Sequence, residues 1–527
     1  MMKQNNLITI RKAIMLLFAA LLISSCTDNF EDLNLHPSNP SETDLTNSER
    51  IGSLFPTLIS TMHYAQENRN QMVEQMVGNQ YGGYMVTTNS WQGTNFGTFN
   101  PAKDWVDYPF NTIMVDFNSN YLFVKEVTQS TGYIYAWANI LRVATMLRVT
   151  DMYGPIPYSK IGEGGLTTGF DNVKDVYHNL IEDLDNSITS LTNYIAEKPT
   201  ESPLAEYDVV FNGDFGKWIR FANSLKLRMA IRIALVDTEY AKDVMQQAIN
   251  AGPIEVNTDN AFIPTQDNPY YKSSHSWGDL AVSAVLSAYM NGFEDPRREV
   301  YMTKATYGEA YRGVRMGIEN IYKPWYSATT YFSKPAFASN SPLLVYCAAE
   351  TSFLKAEAAL RGWISGGDEQ ARLYYEEGIT LSMEQHGVTA GGYKESTTTP
   401  EVYKDIATNI SIAVGTPVTV SWDDAGTAEN TKLEKIITQK WLANYPLGFE
   451  SWCDHRRTGF PQFFPAQDNL SSSGFIGDVT NSASRMVRRL PFPQSQYQGN
   501  NTNVQEAVQM LGGDDVANTD IWWAQQP

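Results

Sequence analysis

The 58 acidic side chains of this chain are ample raw material for acid–base chemistry, and a glycosidase needs only two of them facing each other across a bond. The best-framed acids stand differently. Glu350 and Glu357 lie seven residues apart in AETSFLKAEAALRGW, hence on one face of one helix. Glu450 precedes Arg457 by seven in FESWCDHRRTGFP, and Arg228 and Arg232 lie four apart in SLKLRMAIRIAL. Acids and arginines at helical spacing among apolar residues read as charges paired between packed helices. The six histidines, His36, His63, His178, His275, His386 and His455, never fall at metal-ligand spacing. No GxSxG elbow, phosphate-binding loop, HExxH or Cys-x-x-Cys occurs, and the glycines of GEGGLTTG (162–169) lack dinucleotide-binding spacing. No catalytic residue, metal or cofactor is expected.

The remaining chemistry is that of surfaces. The chain holds 12 Trp, 29 Tyr and 23 Phe. Sugar rings offer apolar C–H faces that stack on Trp and Tyr, while polar side chains hold the hydroxyls. Aromatics within helical patterns (Trp137, Trp218, Trp363, Trp441) are expected in the core. Those in loops (Trp91, Trp277, Trp325, Tyr326, Tyr331) are candidate ligand contacts, because loops carry binding function.

These loops hang on helices. Val176, Leu180, Ile181, Leu184, Ile188 and Leu191 make one apolar stripe at spacings of three and four. Trp137, Ile140, Leu141, Ala144 and Leu147 make another, stopped by Gly154, Pro155 and Pro157. Further helices are expected near 48–66, 105–127, 215–236, 239–250, 343–363, 369–386 and 431–445. The segments around 343–363 and 369–386 form a helical hairpin across ISGGDEQ. Between helices lie long irregular stretches, 78–103, 252–278, 301–341, 387–430 and 465–527, of a length that is usually functional. Cys347 and Cys453 have no motif partner and are expected as buried free thiols.

The N-terminus reads as a secretory leader. Lys3, Arg11 and Lys12 precede the apolar run Ala13–Ile23, too short to span a bilayer, and Ser24 and Ser25 precede Cys26. Ile23-Ser24-Ser25-Cys26 resembles the bacterial lipobox, whose cysteine is acylated as the first residue of the mature protein. Asp28, Glu31 and Asp32 follow, as in a surface-export signal or a solvated tether. The expected organisation is a signal peptide over 1–25, a lipidated tether over 26–46 and one domain over 47–527. The formal net charge of −19 becomes more negative once the three basic residues of the leader are removed, so the mature chain repels nucleic-acid phosphates.

Several segments in order, ANILRVATMLRVTDMYGPIPYSK, YDVVFNGDFGKWIRFANSLKLRMAIRIAL, DPRREVYM, AETSFLKAEAALRGW, ITQKWLANYPLGFESWCDHRRTGFP and RMVRRLPFP, together with the lipobox, resemble the SusD/RagB family of outer-membrane nutrient-binding lipoproteins. The resemblance implies a mainly α fold, a tetratricopeptide-like helix-pair scaffold with long irregular ligand-binding loops. It implies a lipid-anchored protein on the cell-surface side of the outer membrane. It implies an oligosaccharide or polysaccharide ligand and a TonB-dependent transporter of SusC type as partner. Some relatives take peptides instead, and a glycoside hydrolase on a helical scaffold is the alternative from another class. By position, the family's early loop and the loop before AETSFLKAEAALRG supply ligand contacts; here they hold Trp91, Gln92 and Asn95, and Trp325, Tyr326 and Tyr331. Cys26 carries over as the lipidation site.

Overall fold

The computed structural model describes residues 47–424, 431–480 and 486–525. The expected leader, the tether and Cys26 lie outside the described residues. Residues 1–54 form one unit, whose described part carries helix α1 (Asn47–Gly52). Everything below concerns the second unit, residues 55–527.

That unit is mainly helical. In chain order come α2 (Phe55–Ser60), α3 (Glu67–Asn70, continuing as a π-helical Gln71–Asn79), α4 (Lys103–Val127), α5 (Gly132–Tyr153), α6 (Val173–Glu197), α7 (Phe215–Arg232), α8 (Thr238–Ala251) and α9 (Ala284–Gly292). Then follow α10 (Ala348–Leu360), α11 (Gly367–Gln385), α12 (Thr431–Ala443), α13 (Gly448–Thr458) and α14 (Asn501–Leu511). Consecutive helices pack as pairs, α5 on α6, α7 on α8 and α10 on α11, which is the expected tetratricopeptide-like scaffold. Short antiparallel ladders join the loops: β1 (Met85–Thr87) with β3 (Leu280–Val282), and β2 (Ala261–Ile263) with β4 (Leu343–Tyr346). Among the described residues no helix is long and apolar enough to cross a membrane.

Local chemistry sets the ends. Asn172 caps α6, its Oδ1 accepting from Asp175 N at 2.9 Å, and the α6 stripe is buried except for half-buried Ile188. Gly154 ends α5 at φ 91°. Three expectations are corrected. The helix expected over 48–66 breaks into shorter pieces, because Pro56 has no N–H to continue a helix and is tolerated only in a first turn. Residues 343–346 are the buried strand β4, not the start of a helix; the Leu-Leu-Val-Tyr run pairs with β2 some eighty residues earlier, and pairing overrides local propensity. The stretch 465–527 is not wholly irregular: α14 buries Val504, Ala507 and Leu511 at spacings of three and four.

α5 is the centre of the core. Its residues are buried on every side from Ala136 to Tyr153, not along one stripe. α13 is buried from Gly448 to Arg457 although most of these residues are charged or polar. Ion pairs make this possible. Arg228 (α7) grips Glu350 (α10) through two bonds of 2.8 Å. Arg232 joins Asp151 (α5) to Glu450 (α13). Arg457 (α13) holds Glu357 (α10) at 2.6 and 2.9 Å and Asp454 at 2.9 Å, and Lys440 (α12) holds Asp454 at 2.9 Å. The acids singled out by their spacing are thus neutralised inside the helix stack. Residues late in the chain complete it: Trp523 Nε1 donates to Asp151 Oδ1 at 3.0 Å, and the guanidinium of Arg489 donates to Tyr153 O at 2.8 Å. Cys347 and Cys453 are buried free thiols.

Where α3 meets α13 the two backbones touch. A Cβ on Gly448 would lie 2.3 Å from Asn79 N, and one on Gly82 would lie 2.4 Å from Gly448 O. Neither neighbour is a flexible side chain that could move aside. Gly448→Ala is expected to lower the urea midpoint with unchanged slope, a loss of about 1–3 kcal/mol. An unchanged midpoint would show that the two segments separate freely.

Candidate functional site

The β1–β3 ladder brings three loops to one place. Past Thr87 the chain turns at Asn89, whose Oδ1 accepts from Trp91 N at 3.1 Å. Trp91 and Gln92 then take the left-handed backbone region, φ 39° and 62°, a conformation that side chains rarely adopt and that functional turns often hold. The half-buried Trp91 ring sets its edge against Trp105 of α4, with centroids 5.6 Å apart and planes at 89°. Gln92 is exposed.

On the other side of the ladder, Lys272–Trp277 forms a π-helical turn that ends at Gly278 (φ 69°). π-helical segments are rare and often mark functional sites, and here two of them, 71–79 and 272–277, lead to the same junction. That junction is Asp279. Its carboxylate accepts from Asn89 Nδ2 at 3.0 Å and from Gln71 Nε2 at 3.4 Å, and it pairs with Lys323 Nζ. Thr88 Oγ1 donates to Gly278 O at 2.6 Å. Lys323 opens the short helix Lys323–Tyr326, and a Cβ on Gly278 would lie 3.1 Å from Ser327 Cβ. One carboxylate therefore ties the Trp91 loop, the Trp277 turn and the Trp325 segment together.

The third loop has a floor of its own. Val86 of β1 and Ala281 of β3 pack with Val314, Ile321, Tyr326 and Phe332, and Trp325 and Tyr331 lie over this cluster with Met316, Ile318 and Ile406. The Trp325 ring meets Tyr331 at 5.1 Å and 36°, and meets Tyr326 and Phe332 edge-on at 4.8 and 5.0 Å. Trp277, Trp325 and Tyr331 are each half-buried, and Trp325 and Tyr331 rest on this cluster.

The seven expected ligand residues thus divide. Trp91, Gln92, Trp277, Trp325 and Tyr331 reach solvent around the Asp279 junction. Asn95 and Tyr326 turn inward. Asn95 is 4% exposed, and its Oδ1 accepts from Gly97 N at 2.7 Å and Thr98 N at 3.1 Å, which folds the Trp91 loop on itself. Tyr326, 9% exposed, is part of the floor beneath Trp325. Two exposed rings beside the site were absent from the sequence expectation. Tyr322, 67% exposed, stands one helical turn before Trp325, and Tyr307, 61% exposed, lies 6.1 Å from Tyr331. The density of rings in NIYKPWY could have marked Tyr322; nothing local marks Tyr307, whose partner is 24 residues away.

The arrangement suits stacking and hydrogen bonding. Asp279 is already paired with Lys323. Among the described residues, no group of three or more His, Cys, Asp or Glu side chains is placed to hold a metal ion. A separate cleft of about 260 Å³ lies among Tyr301, Phe337, His386 and Tyr445. Burial pushes the His386 imidazole down to about 4, so it is neutral at physiological pH.

Comparison with known proteins bears on the family and the fold. The family model described as SusD and RagB outer-membrane lipoprotein matches residues 32–524. A SusD homologue from Bacteroides uniformis is 37% identical, with 91% of this chain and 100% of that one covered and a TM-score of 0.82. One from Bacteroides ovatus is 35% identical, covering 91% and 100% with a TM-score of 0.83. A chitin-binding SusD homologue from Flavobacterium johnsoniae is 33% identical, covering 91% and 99% with a TM-score of 0.83. No protein with a curated description matches.

Proposed function

The chain belongs to the SusD and RagB family of outer-membrane lipoproteins, and from that premise we propose that it captures an oligosaccharide or polysaccharide at the cell surface and passes it to a TonB-dependent transporter of SusC type. The observation that carries this reading is the junction at Asp279, where Trp91, Trp277, Trp325 and Tyr331 stand half-buried on loops pinned by one carboxylate. Rings fixed on one side and open on the other stack on sugar faces without first losing conformational freedom. Gln92, exposed beside Trp91, supplies an amide for hydroxyls. The chitin-binding relative supports a glycan over a peptide. On this reading the ligand leaves unchanged; the carboxylate at the junction, Asp279, is paired with Lys323 and serves to hold the loops.

A glycan-array screen of the purified chain, with a peptide-library arm and a product assay on every hit, tests this. Binding of glycans without turnover is the expected result. Binding of peptides alone would move the ligand class, and release of shorter sugars would overturn the reading.

Anchoring is tested separately. Cys26→Ala is expected to abolish incorporation of labelled palmitate and to release the protein from the membrane fraction, because acyl chains contribute about 0.8 kcal/mol per buried methylene. Retention of label in the variant would refute acylation at Cys26.

A further inference from the structure

At the C-terminal end of α4 the chain turns through Gln129 and Ser130, φ 51° and 57°, and enters α5 at Gly132. Between this turn, the first turns of α5 and the facing side of α6 lies a cavity of about 440 Å³. Its volume falls in the range of small-molecule sites. Its walls carry hydroxyls, amides, one carboxylate and one aromatic ring, from Ser130, Tyr135, Asn139, Asp183, Asn186 and Ser190.

The deeper groups are only partly used. Asn139 is 4% exposed; its Oδ1 accepts from Tyr121 OH at 2.6 Å, and its Nδ2 donates to no described group. Asp183 spends Oδ2 on Tyr158 OH at 2.5 Å and Arg142 Nη1 at 3.2 Å, and its Oδ1 has no partner among the described residues. Ser187 Oγ donates to Asp183 O at 2.6 Å, which leaves the oxygen free to accept. Arg142 is itself fixed, 3.9 Å over the Tyr158 ring and donating to Tyr158 O at 2.6 Å.

This chemistry selects a class of ligand. The single carboxylate is already held by a guanidinium, so the cavity offers no free charge to an anion or a metal cation. It does offer an unused amide donor, an unused carboxylate acceptor and hydroxyls that serve as both. Adjacent sugar hydroxyls require such alternating donors and acceptors, and the Tyr135 ring supplies an apolar wall for a C–H face. We propose that this cavity is a second carbohydrate site, taking a neutral mono- or disaccharide unit. It is separate from the aromatic face. Trp91 packs on Trp105 in the first turn of α4, whereas this cavity opens beyond its last turn, and the helix between spans about 33 Å.

Saturation-transfer NMR tests the proposal, with methyl glycosides of glucose, galactose, mannose and N-acetylglucosamine as probes. The first protein carries Trp91→Ala and Trp325→Ala, which disable the aromatic face, so failure of that face and failure of this cavity are distinguishable. At least one glycoside is expected to keep its signal there. Adding Ser190→Trp, a half-exposed position that fills the cavity, is expected to cut that signal at least fivefold. Tyr135→Ala, which removes the apolar wall, is expected to do the same, and thermal melts establish that both variants fold. No signal in the first protein, or a signal that neither added substitution changes, would overturn the proposal. So would displacement of the glycoside by millimolar calcium chloride or sodium sulfate, which would assign the cavity to an ion.

Discussion

Arg457→Met is expected to lower folding stability by about 3–5 kcal/mol, read as a fall in urea midpoint and in melting temperature. Arg457 is fully buried and holds Glu357 of α10 and Asp454 of its own helix through three hydrogen bonds. Removing the guanidinium leaves Asp454 with Lys440 alone and Glu357 with Arg361 alone, inside the helix stack. The cost is that of buried charge stripped of its partner, not the modest net worth of the pair. Acid has the same target. Burial alone would raise the Glu357 carboxyl, but Arg457 and Arg361 more than offset this and hold it below the usual carboxylate range. Asp454 is held down in the same way by Lys440 and Arg457 against its burial, and Glu450 by Arg228 and Arg232. Carboxyls with lower pKa folded than unfolded contribute stability that is complete above their unfolded values, about pH 4, and is lost as pH falls further. The urea midpoint of the parent protein should therefore fall steeply below about pH 4, and the fall should be shallower in Arg457→Met. Equal slopes would show that the pair does not govern acid stability.

Trp325→Ala is expected to weaken glycan binding at least tenfold, about 1.4 kcal/mol, with a much smaller change in melting temperature than Tyr326→Ala produces. The two rings are neighbours in sequence and opposite in role. Trp325 lies over the cluster and gives one side to solvent, whereas Tyr326 is buried in the floor with Phe332, centroids 5.2 Å apart. Trp91→Ala should weaken binding similarly, because its half-buried ring meets Trp105 at right angles and keeps part of its surface in solvent. Lys323→Met should reduce affinity without removing any ring, since it unties the Trp325 segment from Asp279 and lets that segment shift relative to the other two loops. Titration of each variant against the best array ligand separates these cases. Full affinity in both Trp325→Ala and Trp91→Ala would place the glycan elsewhere.

Part of this could be read along the chain and part could not. The spacing of Glu350 and Glu357, and of Arg228 and Arg232, was legible because helical periodicity is local. That Arg228 meets Glu350 and Arg457 meets Glu357 was not, since those contacts cross 122 and 100 residues. Strand β4 is hidden from the sequence for a related reason: Leu343–Tyr346 suits a helix until β2 is placed beside it. At the proposed ligand face, ring density in the loops points to Trp325 and Tyr331. It could not tell Trp325 from Tyr326, because which of two adjacent rings faces out depends on a four-residue helix and the cluster beneath it. Asn95 looked like a sugar contact by type, but an asparagine two residues before Gly97 serves equally well to bond its own turn, and does.

The contact between Trp523 and Asp151 has a consequence for timing. The two residues are 372 apart, and Asp151 also takes a bond of 2.5 Å from Tyr177 and pairs with Arg232. Arg456 joins the same knot, donating to Asp151 O and to Arg488 O at 2.7 and 2.8 Å. The knot around Asp151 is therefore complete only once residues as far along the chain as Arg456 and Trp523 have joined it. Closing so long a loop costs entropy before any contact repays it, which slows folding. A fragment ending before Trp523 is therefore expected to be cut by proteases faster than the whole chain, because Asp151 then lacks one of its buried partners.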